Sequence, residues 1–425
     1  MDAYQQALEY LYESLPMFQR IGPAAYKNDL TNTRLLCEAL GNPETKFKSV
    51  HVAGTNGKGS SSHMLAAILQ TAGYKTGLYT SPHLKEFTER IKINGEDASH
   101  EFVVDFVQRM KPVLEKVKPS FFEATVAMAF DYFAQHKVDV AVIEVGLGGR
   151  LDSTNVITPE VSLITNISWD HANLLGDTLQ KIAAEKAGII KPGIPVVISE
   201  RQTEVAHVFI EKATQEKSPI VFGTDYFKVD NLGDGKFEVA YNSEKETYRL
   251  QLKGDYQRMN LVGVLATAHA LNKRRFTISA QNISDGLKNT IALTQLKGRW
   301  QQLSDKPLII CDTGHNEAGI TEVLKQISKQ RFNHLHVVWG MVNDKDPGRL
   351  LELLPKNATY YFCQAKIPRA MNAVELKVKA MTYGLAGDVV EEVNEAIAQA
   401  RKNCSAEDMI FIGGSTFVVA EIEGL

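Results

Sequence analysis

The chain has 425 residues, so at about 150 residues per domain two or three domains are expected and a single small module is excluded. Hydrophobic residues make up 44% and charged residues 23%, enough apolar material for a core in each domain and too much for a disordered chain. Lys and Arg number 47 against 50 Asp and Glu, a formal charge of −3, so no general positive field exists to hold nucleic acid or an anionic membrane surface. Any anionic ligand must be caught by local chemistry.

The amphipathic N-terminus mixes acidic residues into its apolar pattern and lacks the basic region and apolar run of an export signal. No stretch approaches the roughly 20 apolar residues that span a bilayer, so a cytoplasmic protein is expected. From residue 47, short β-branched runs alternate with longer helical periods, the pattern of a mostly parallel sheet covered by helices. Strands are expected at 47–53, 138–145, 161–167 and 194–198, with helices at 60–71, 101–117, 124–135 and 178–187. Residues 220–253 change character: short alternating runs separated by turn signals predict a β-hairpin insertion. A helix at 260–271 follows. A second βαβ series then predicts strands at 308–311, 335–339, 359–363 and 409–412 and helices at 317–329 and 389–402. The expected division is a first α/β domain over 1–295 and a smaller Rossmann-like α/β domain over 296–425. Cys37, Cys311, Cys363 and Cys404 form no C-x-x-C pair and read as ordinary thiols of a reducing compartment.

The most informative segment is His51 to Ser60, with Gly54, Thr55, Asn56, Gly57, Lys58, Gly59 and Ser60 between a predicted strand and a predicted helix. A glycine-rich turn there turns backbone N–H groups toward a phosphate, the helix N-terminus adds partial positive charge, and Lys58 can reach the terminal phosphate oxygens. The strict G-x-x-x-x-G-K-[ST] spacing is not met, because Val52 stands where its first glycine belongs and Gly59 separates Lys58 from Ser60. A plain glycine turn at a strand–helix junction is the competing reading.

Further segments stand in a fixed order: Gly73 to Leu84 containing Ser81-Pro82-His83, then Phe121-Phe122-Glu123, Glu144 to Asn155, Asp170-His171 and Ile182 to Ile189 containing Lys186. With the loop at Lys58 they resemble the Mur ligase superfamily, and more narrowly its folylpolyglutamate and dihydrofolate synthases, from about residue 25 to the C-terminus. Glu144 ends an apolar strand facing the phosphate loop, a place where an α/β nucleotide enzyme holds Mg²⁺; an acid satisfied by the following glycine amides is the bland alternative. The resemblance implies that Ser81 binds one Mg²⁺, that His171 binds a second, and that Lys186 is carbamylated into an oxygen ligand. On sequence alone Lys186 reads as a surface lysine, its ordinary pKa of about 10.4 keeping it charged.

Asp312-Thr313-Gly314-His315-Asn316 follows a strand and resembles the family's D-G-A-H-N-P motif, with Thr313-Gly314 in place of Gly-Ala and Glu317 in place of Pro. The resemblance makes Asp312, His315, Asn260 and Arg299 contacts for ATP. It also implies that Asp29 and Leu30, Phe121 to Ala124 with Glu123 among them, and Leu151, Asp152 and Ser153 hold a pterin compound. Phe121 and Phe122 at a helix start serve equally well as core, and Thr31-Asn32 departs from the family's D-L-G-L.

The resemblance therefore implies an ATP-dependent amide ligase with two Mg²⁺ ions, acting through an acyl phosphate on L-glutamate and dihydropteroate or a reduced folate. A monomer serving both acceptors is expected, with no nucleic-acid or membrane partner. A cell-wall Mur ligase is the nearest rival; it usually carries an additional N-terminal domain for which the stretch before Phe47 is short. A P-loop nucleotide switch is the rival from another class.

Overall fold

The computed structural model describes residues 2–17, 29–343 and 347–425. It divides into two compact units, Met1–Gln251 with Tyr256–Leu296, and Leu252–Asp255 with Lys297–Leu425. Both are α/β folds built on mostly parallel sheets.

The first unit carries eight strands in one sheet: β1 (Lys48–Ala53), β2 (Thr76–Tyr79), β3 (Ile91–Ile93), β4 (Glu96–Asp97), β5 (Val140–Glu144), β6 (Val161–Ile164), β7 (Val196–Ile198) and β8 (Ile220–Phe222). Their order is β4-β3-β2-β5-β1-β6-β7-β8. All neighbours are parallel except for the antiparallel β2–β3 and β3–β4 pairs at one edge. The central strands are buried along almost their whole length because helices cover both faces. β1 lies between β5 and β6, with Val52 opposite Glu144 and Ala53 opposite Ile164. The C-terminal ends of these three strands therefore meet at one edge of the sheet.

Side chains alternate along a strand, so His51 and Ala53 share one face of β1 while Val50 and Val52 lie on the other. Two apolar clusters lie on the face that His51 and Ala53 share: one includes Phe106, Phe130, Phe133 and Ile143, the other Ala53, Ile164, Ile182, Val196 and Phe209. Each fully buried phenylalanine is worth about 1.5–3 kcal/mol relative to exposure. The helix Phe121–Gln135 starts three residues earlier than the sequence pattern predicts, because Ser120 and Glu123 form a capping box at its N-terminus.

The predicted hairpin at 220–253 is more than a hairpin. Residues 220–222 extend the large sheet as its edge strand, and β9 (Lys228–Gly233), β10 (Lys236–Tyr241) and β11 (Glu244–Arg249) form a separate three-stranded antiparallel meander. A single chain of alternating residues does not tell which partner each strand takes.

The second unit has six strands: β12 (Gln301–Asp305), β13 (Leu308–Cys311), β14 (Leu335–Trp339), β15 (Thr359–Phe362), β16 (Ala386–Val389) and β17 (Met409–Gly413). Their order is β12-β13-β17-β14-β15-β16, antiparallel only at β12. The chain skips from β13 to β14 and returns with β17 between them, which makes a crevice at the C-terminal strand ends. The helix expected over 389–402 begins at Val393, and residues 386–389 are strand. Among the described residues no helix is long and apolar enough to cross a membrane. All four cysteines are free thiols.

Candidate active site

The turn from β1 into the helix Lys58–Thr71 is built for glycine at two positions. Gly57 has φ +84, and a Cβ there would lie 2.0 Å from Asn260 Oδ1; Gly54 has φ +143, and its Cβ would lie 1.8 Å from Thr165 Oγ1. Both are backbone conformations that L side chains rarely adopt, with no room besides. Gly59 and Ser60 are buried in the first helical turn.

The segment after β6 clamps this turn. Thr55 N–H donates to the Asn166 carbonyl (2.9 Å) and Asn56 N–H to Asn166 Oδ1 (3.0 Å). Thr165 Oγ1 donates to the Asn56 carbonyl (2.6 Å), and Ser168 N–H to Thr55 Oγ1 (3.1 Å). From the other side Gln257 Nε2 donates to Ser60 Oγ (3.2 Å) and Asn260 Nδ2 to Gln257 Oε1 (2.8 Å). Lys58 curls over the turn, its Nζ donating to the carbonyls of Gly54 (3.0 Å) and Thr55 (3.1 Å). The result is a braced glycine turn at a helix N-terminus, an arrangement suited to cradling a phosphate. Thr165, Asn166, Ser168 and Gln257 escaped sequence reasoning. Gln257 alone left a signal, three residues before Asn260 and so on the same helical face.

Around the cradle stand the expected metal residues. Glu144 ends β5 and is 5% exposed; its Oε2 accepts from the Ser81 backbone N–H (3.1 Å), which brings Glu144 and Ser81 together. His171 sits in the left-handed region (φ +50) ahead of the short helix Ala172–Leu175, its N–H donating to Asp170 Oδ1 (3.0 Å). Lys186 is not a surface residue: it is 4% exposed and has no salt-bridge partner among the described residues. Burial first, and then the nearby Lys58 charge, push its pKa down to about 7, against the pull of Asp170, Asp152 and Glu185. Lys186, Lys58, Asp170 and Asp152 therefore share one electrostatic neighbourhood. Among the described residues no three His, Cys, Asp or Glu side chains gather as a metal cage; the expected set holds two of those types, Glu144 and His171, beside Ser81 and Lys186.

The residues expected to hold a second substrate fall into two groups. Phe121 is 3% exposed and packs with Tyr12 and Phe87, with the Arg90 guanidinium 5.3 Å from its ring centre, so its ring belongs to the core. Ala124 is fully buried. Glu123 is spent largely on the helix cap, its Oε2 accepting from Ser120 N–H (2.6 Å) and from Asn32 Nδ2 (3.3 Å). Asp29 is exposed and caps Thr31 N–H (2.7 Å), beside the half-buried Leu30. Phe122 is partly buried, against Gly146 and 6.3 Å from the Tyr79 ring. Leu151 is half-buried, while Asp152 and Ser153 are buried. Asp152 accepts from Leu147 N–H (2.8 Å), Thr154 N–H (3.0 Å) and the Thr154 hydroxyl; burial still raises its pKa. These acceptances shape the turn that follows Glu144.

In the second unit Asp312 stands just after β13, 3% exposed. Its Oδ2 accepts from Trp300 N–H and its Oδ1 from Gly314 N–H, both at 2.7 Å. Arg299 donates to Thr313 Oγ1, and His315 Nδ1 lies 3.0 Å from the Thr313 carbonyl. Asn316 caps the helix Glu317–Ile327 through Gly319 N–H (2.9 Å). Arg299, Asp312 and His315 thus form one cluster at the C-terminal sheet edge of their own unit.

Comparison with known proteins follows the same division. Residues 52–268 match the Mur ligase middle domain and residues 298–416 the Mur ligase glutamate ligase domain. A dihydrofolate synthase/folylpolyglutamate synthase of Bacillus subtilis (strain 168) is 34% identical, over 99% of this chain and 98% of that protein. Escherichia coli FolC, solved in complex with DHPP and ADP, superposes with a TM-score of 0.86 at 26% identity, over 98% of this chain and 96% of that one. A bifunctional folylpolyglutamate synthase/dihydrofolate synthase of Yersinia pestis, solved with AMPPNP and Mn, gives a TM-score of 0.85 at 28% identity, over 99% of this chain and 97% of that one.

Proposed function

The chain belongs to the Mur ligase family, among its dihydrofolate synthases/folylpolyglutamate synthases, and we propose that it is an ATP-dependent ligase joining L-glutamate to dihydropteroate and to reduced folates. The observation that carries this is the cradle at 54–60 with the Glu144–Ser81 pair at its edge, in a chain whose two units match the two Mur ligase domains. The substrate carboxylate attacks the γ-phosphorus of ATP and ADP leaves; the amine of glutamate then attacks the acyl carbon of the resulting acyl phosphate, sheds a proton and expels inorganic phosphate as the amide forms. Lys58 places positive charge where the transferring phosphoryl group gathers negative charge, and the turn's amides fix its position. A divalent metal, when bound, neutralises phosphate charge. Ser81, Glu144, His171 and Lys186 are the residues that would hold two Mg²⁺ ions.

Lys186 fits that role once modified. A neutral amine adds to CO₂ and sheds a proton to give a carbamate, replacing a cation with an oxygen donor suited to Mg²⁺. Its burial and its lowered pKa supply the neutral amine near pH 7. We assign the first unit to ATP and the acceptor, and the second, with Arg299, Asp312 and His315, to ATP and the incoming glutamate. Phe122, Leu151 and Ser153 are the favoured acceptor contacts, Phe121 acting from the core. The cell-wall ligase and the nucleotide switch gain no support from any residue described above.

The test is ADP release by purified protein with ATP, Mg²⁺ and L-glutamate, offered dihydropteroate and reduced folates in turn. Release that needs both glutamate and an acceptor is expected. Steady ATP hydrolysis indifferent to glutamate would overturn the reading, and turnover of reduced folate with none of dihydropteroate would confine it to polyglutamylation.

A further inference from the structure

His51 lies in the middle of β1, fully buried among apolar strands, three residues before the phosphate turn. Its Nε2 is 2.9 Å from Thr154 Oγ1, and its Nδ1 is buried with no hydrogen-bond partner among the described residues. A buried imidazole nitrogen without a partner is unfavourable, and a leucine there would avoid that cost. The Thr154 hydroxyl spends its single proton on Asp152 Oδ1, so Oγ1 meets His51 as an acceptor. His51 must then be the Nε2–H tautomer, which explains the bare Nδ1. Burial, helped by the Lys191 charge, holds the ring neutral, its pKa pushed down to about 3.

The three residues form a one-way chain of donors from His51 Nε2–H to the Thr154 hydroxyl to the Asp152 carboxylate. Asp152 in turn gathers Leu147 N–H and Thr154 N–H, closing the turn between Glu144 and Thr154 that presents Leu151 and Ser153. The geometry points to His51 as a positioning residue that ties the strand carrying the phosphate turn to the loop shaping the acceptor pocket. Its role is to fix the distance between the phosphoryl group and the acceptor's carboxylate, where errors near 1 Å can cost about a hundredfold in rate. This rests on the proposed function above, in which Leu151 to Ser153 touch the acceptor.

The test measures KM and kcat for ATP, L-glutamate and dihydropteroate in His51→Leu, Thr154→Val and the double variant, with His51→Gln and Thr154→Ser as conservative partners. Each apolar variant should lose roughly ten- to hundredfold in kcat/KM for dihydropteroate with the KM for ATP little changed. The double variant should be no worse than either single one, because both break the same chain. His51→Gln, whose amide can donate to Thr154, and Thr154→Ser should retain most of the activity. Nitrogen NMR of histidine-labelled protein should show a non-titrating Nε2–H imidazole that disappears in His51→Leu. Additive losses, or a His51→Gln variant as poor as His51→Leu, would overturn the positioning role. Asp152→Asn separates the two levels. If it lowers kcat/KM for dihydropteroate while His51→Leu does not, the acceptor site stands and the positioning role falls. If Asp152→Asn leaves kcat/KM for dihydropteroate unchanged, the acceptor reading fails and takes this inference with it.

Discussion

Each unit has a turn at the C-terminal end of a parallel strand that opens into a helix, and the two turns use their polar groups in opposite ways. In the first, between β1 and the helix Lys58–Thr71, the outside chain does the holding: Thr165, Asn166, Ser168 and Gln257 satisfy the turn's own groups. In the second, after β13, a carboxylate within the turn does the holding, as Asp312 ties down Trp300 and Gly314. The same topological position thus yields a cradle supported from behind in one unit and a self-tied knot in the other. The first leaves a lysine to bend over the ligand position; the second presents Arg299 and His315 beside a carboxylate already engaged.

The largest effect that tests this contrast is on the cradle. Lys58→Ala should abolish turnover while thermal unfolding stays near that of the parent, since among the described residues Lys58 bonds only to loop carbonyls and in the proposed reaction its charge acts on phosphate. Near-parental activity would remove the turn from the mechanism. Gly57→Ala should damage both activity and stability: the left-handed conformation alone costs about 1–2 kcal/mol, and Asn260 must also move. Gly314→Ala, in the second turn, meets Asp312 Oδ1 at 3.1 Å, Val323 at 3.4 Å and the Gly319 backbone at 3.5 Å, without a left-handed φ. Its change in stability should stay within about 1 kcal/mol, because reduced freedom of the unfolded chain offsets the tight contact. Equal damage from the two alanines, read by denaturant unfolding, would erase the distinction.

Next in size is Lys186→Ala. Activity should fall by most of its value and recover in part with a small carboxylic acid able to replace the carbamate oxygens. Stability should be kept, because the change removes a buried amine with no ion-pair partner among the described residues. A fully active Lys186→Ala enzyme would rule out the modified lysine, as would mass spectrometry and crystallography showing an unmodified Lys186 in a nucleotide and Mg²⁺ complex.

The contrast between the turns also explains what could be read from the sequence. The phosphate turn was legible because glycine and lysine at a strand–helix junction are a local signal, and Asp312 to Asn316 because carboxylate and cap lie within five residues. The clamp at Thr165 to Ser168 was not, since its partners are about 110 residues away in sequence. His51 was read only as part of an apolar strand. Lys186 looked exposed because a helix of alanines and charges carries little record of which face turns inward. The short strands 76–79, 220–222 and 386–389 were missed or misjudged for want of length, and the meander because antiparallel partners cannot be told apart from one chain's alternation. The broad alternation of strand and helix sufficed for two α/β units because it rests on many residues at once.

The smallest expected effect lies in the acid limb of stability, and it separates the units again. In the first, His51 is buried and His83 half-buried, both neutral, each with its pKa pushed down to about 3 mainly by desolvation. Arg90 Nε donates to His83 Nδ1 at 2.8 Å, a contact that a protonated ring could not accept. Both groups bind more protons unfolded than folded between their folded value and the ordinary 6.5, so stability is complete above about pH 6.5 and is lost as pH falls toward 3. Each contributes a slope of up to about 1.4 kcal/mol per pH unit across that window. In the second unit His336 is also shifted down, yet Asp408 at 3.7 Å pulls the other way, so its share should be smaller. Denaturant unfolding of His51→Gln, His83→Gln and His336→Gln across this range should flatten the acid slope in the first two more than in the third. A His336→Gln protein that flattened it most would place the acid-sensitive histidine in the second unit.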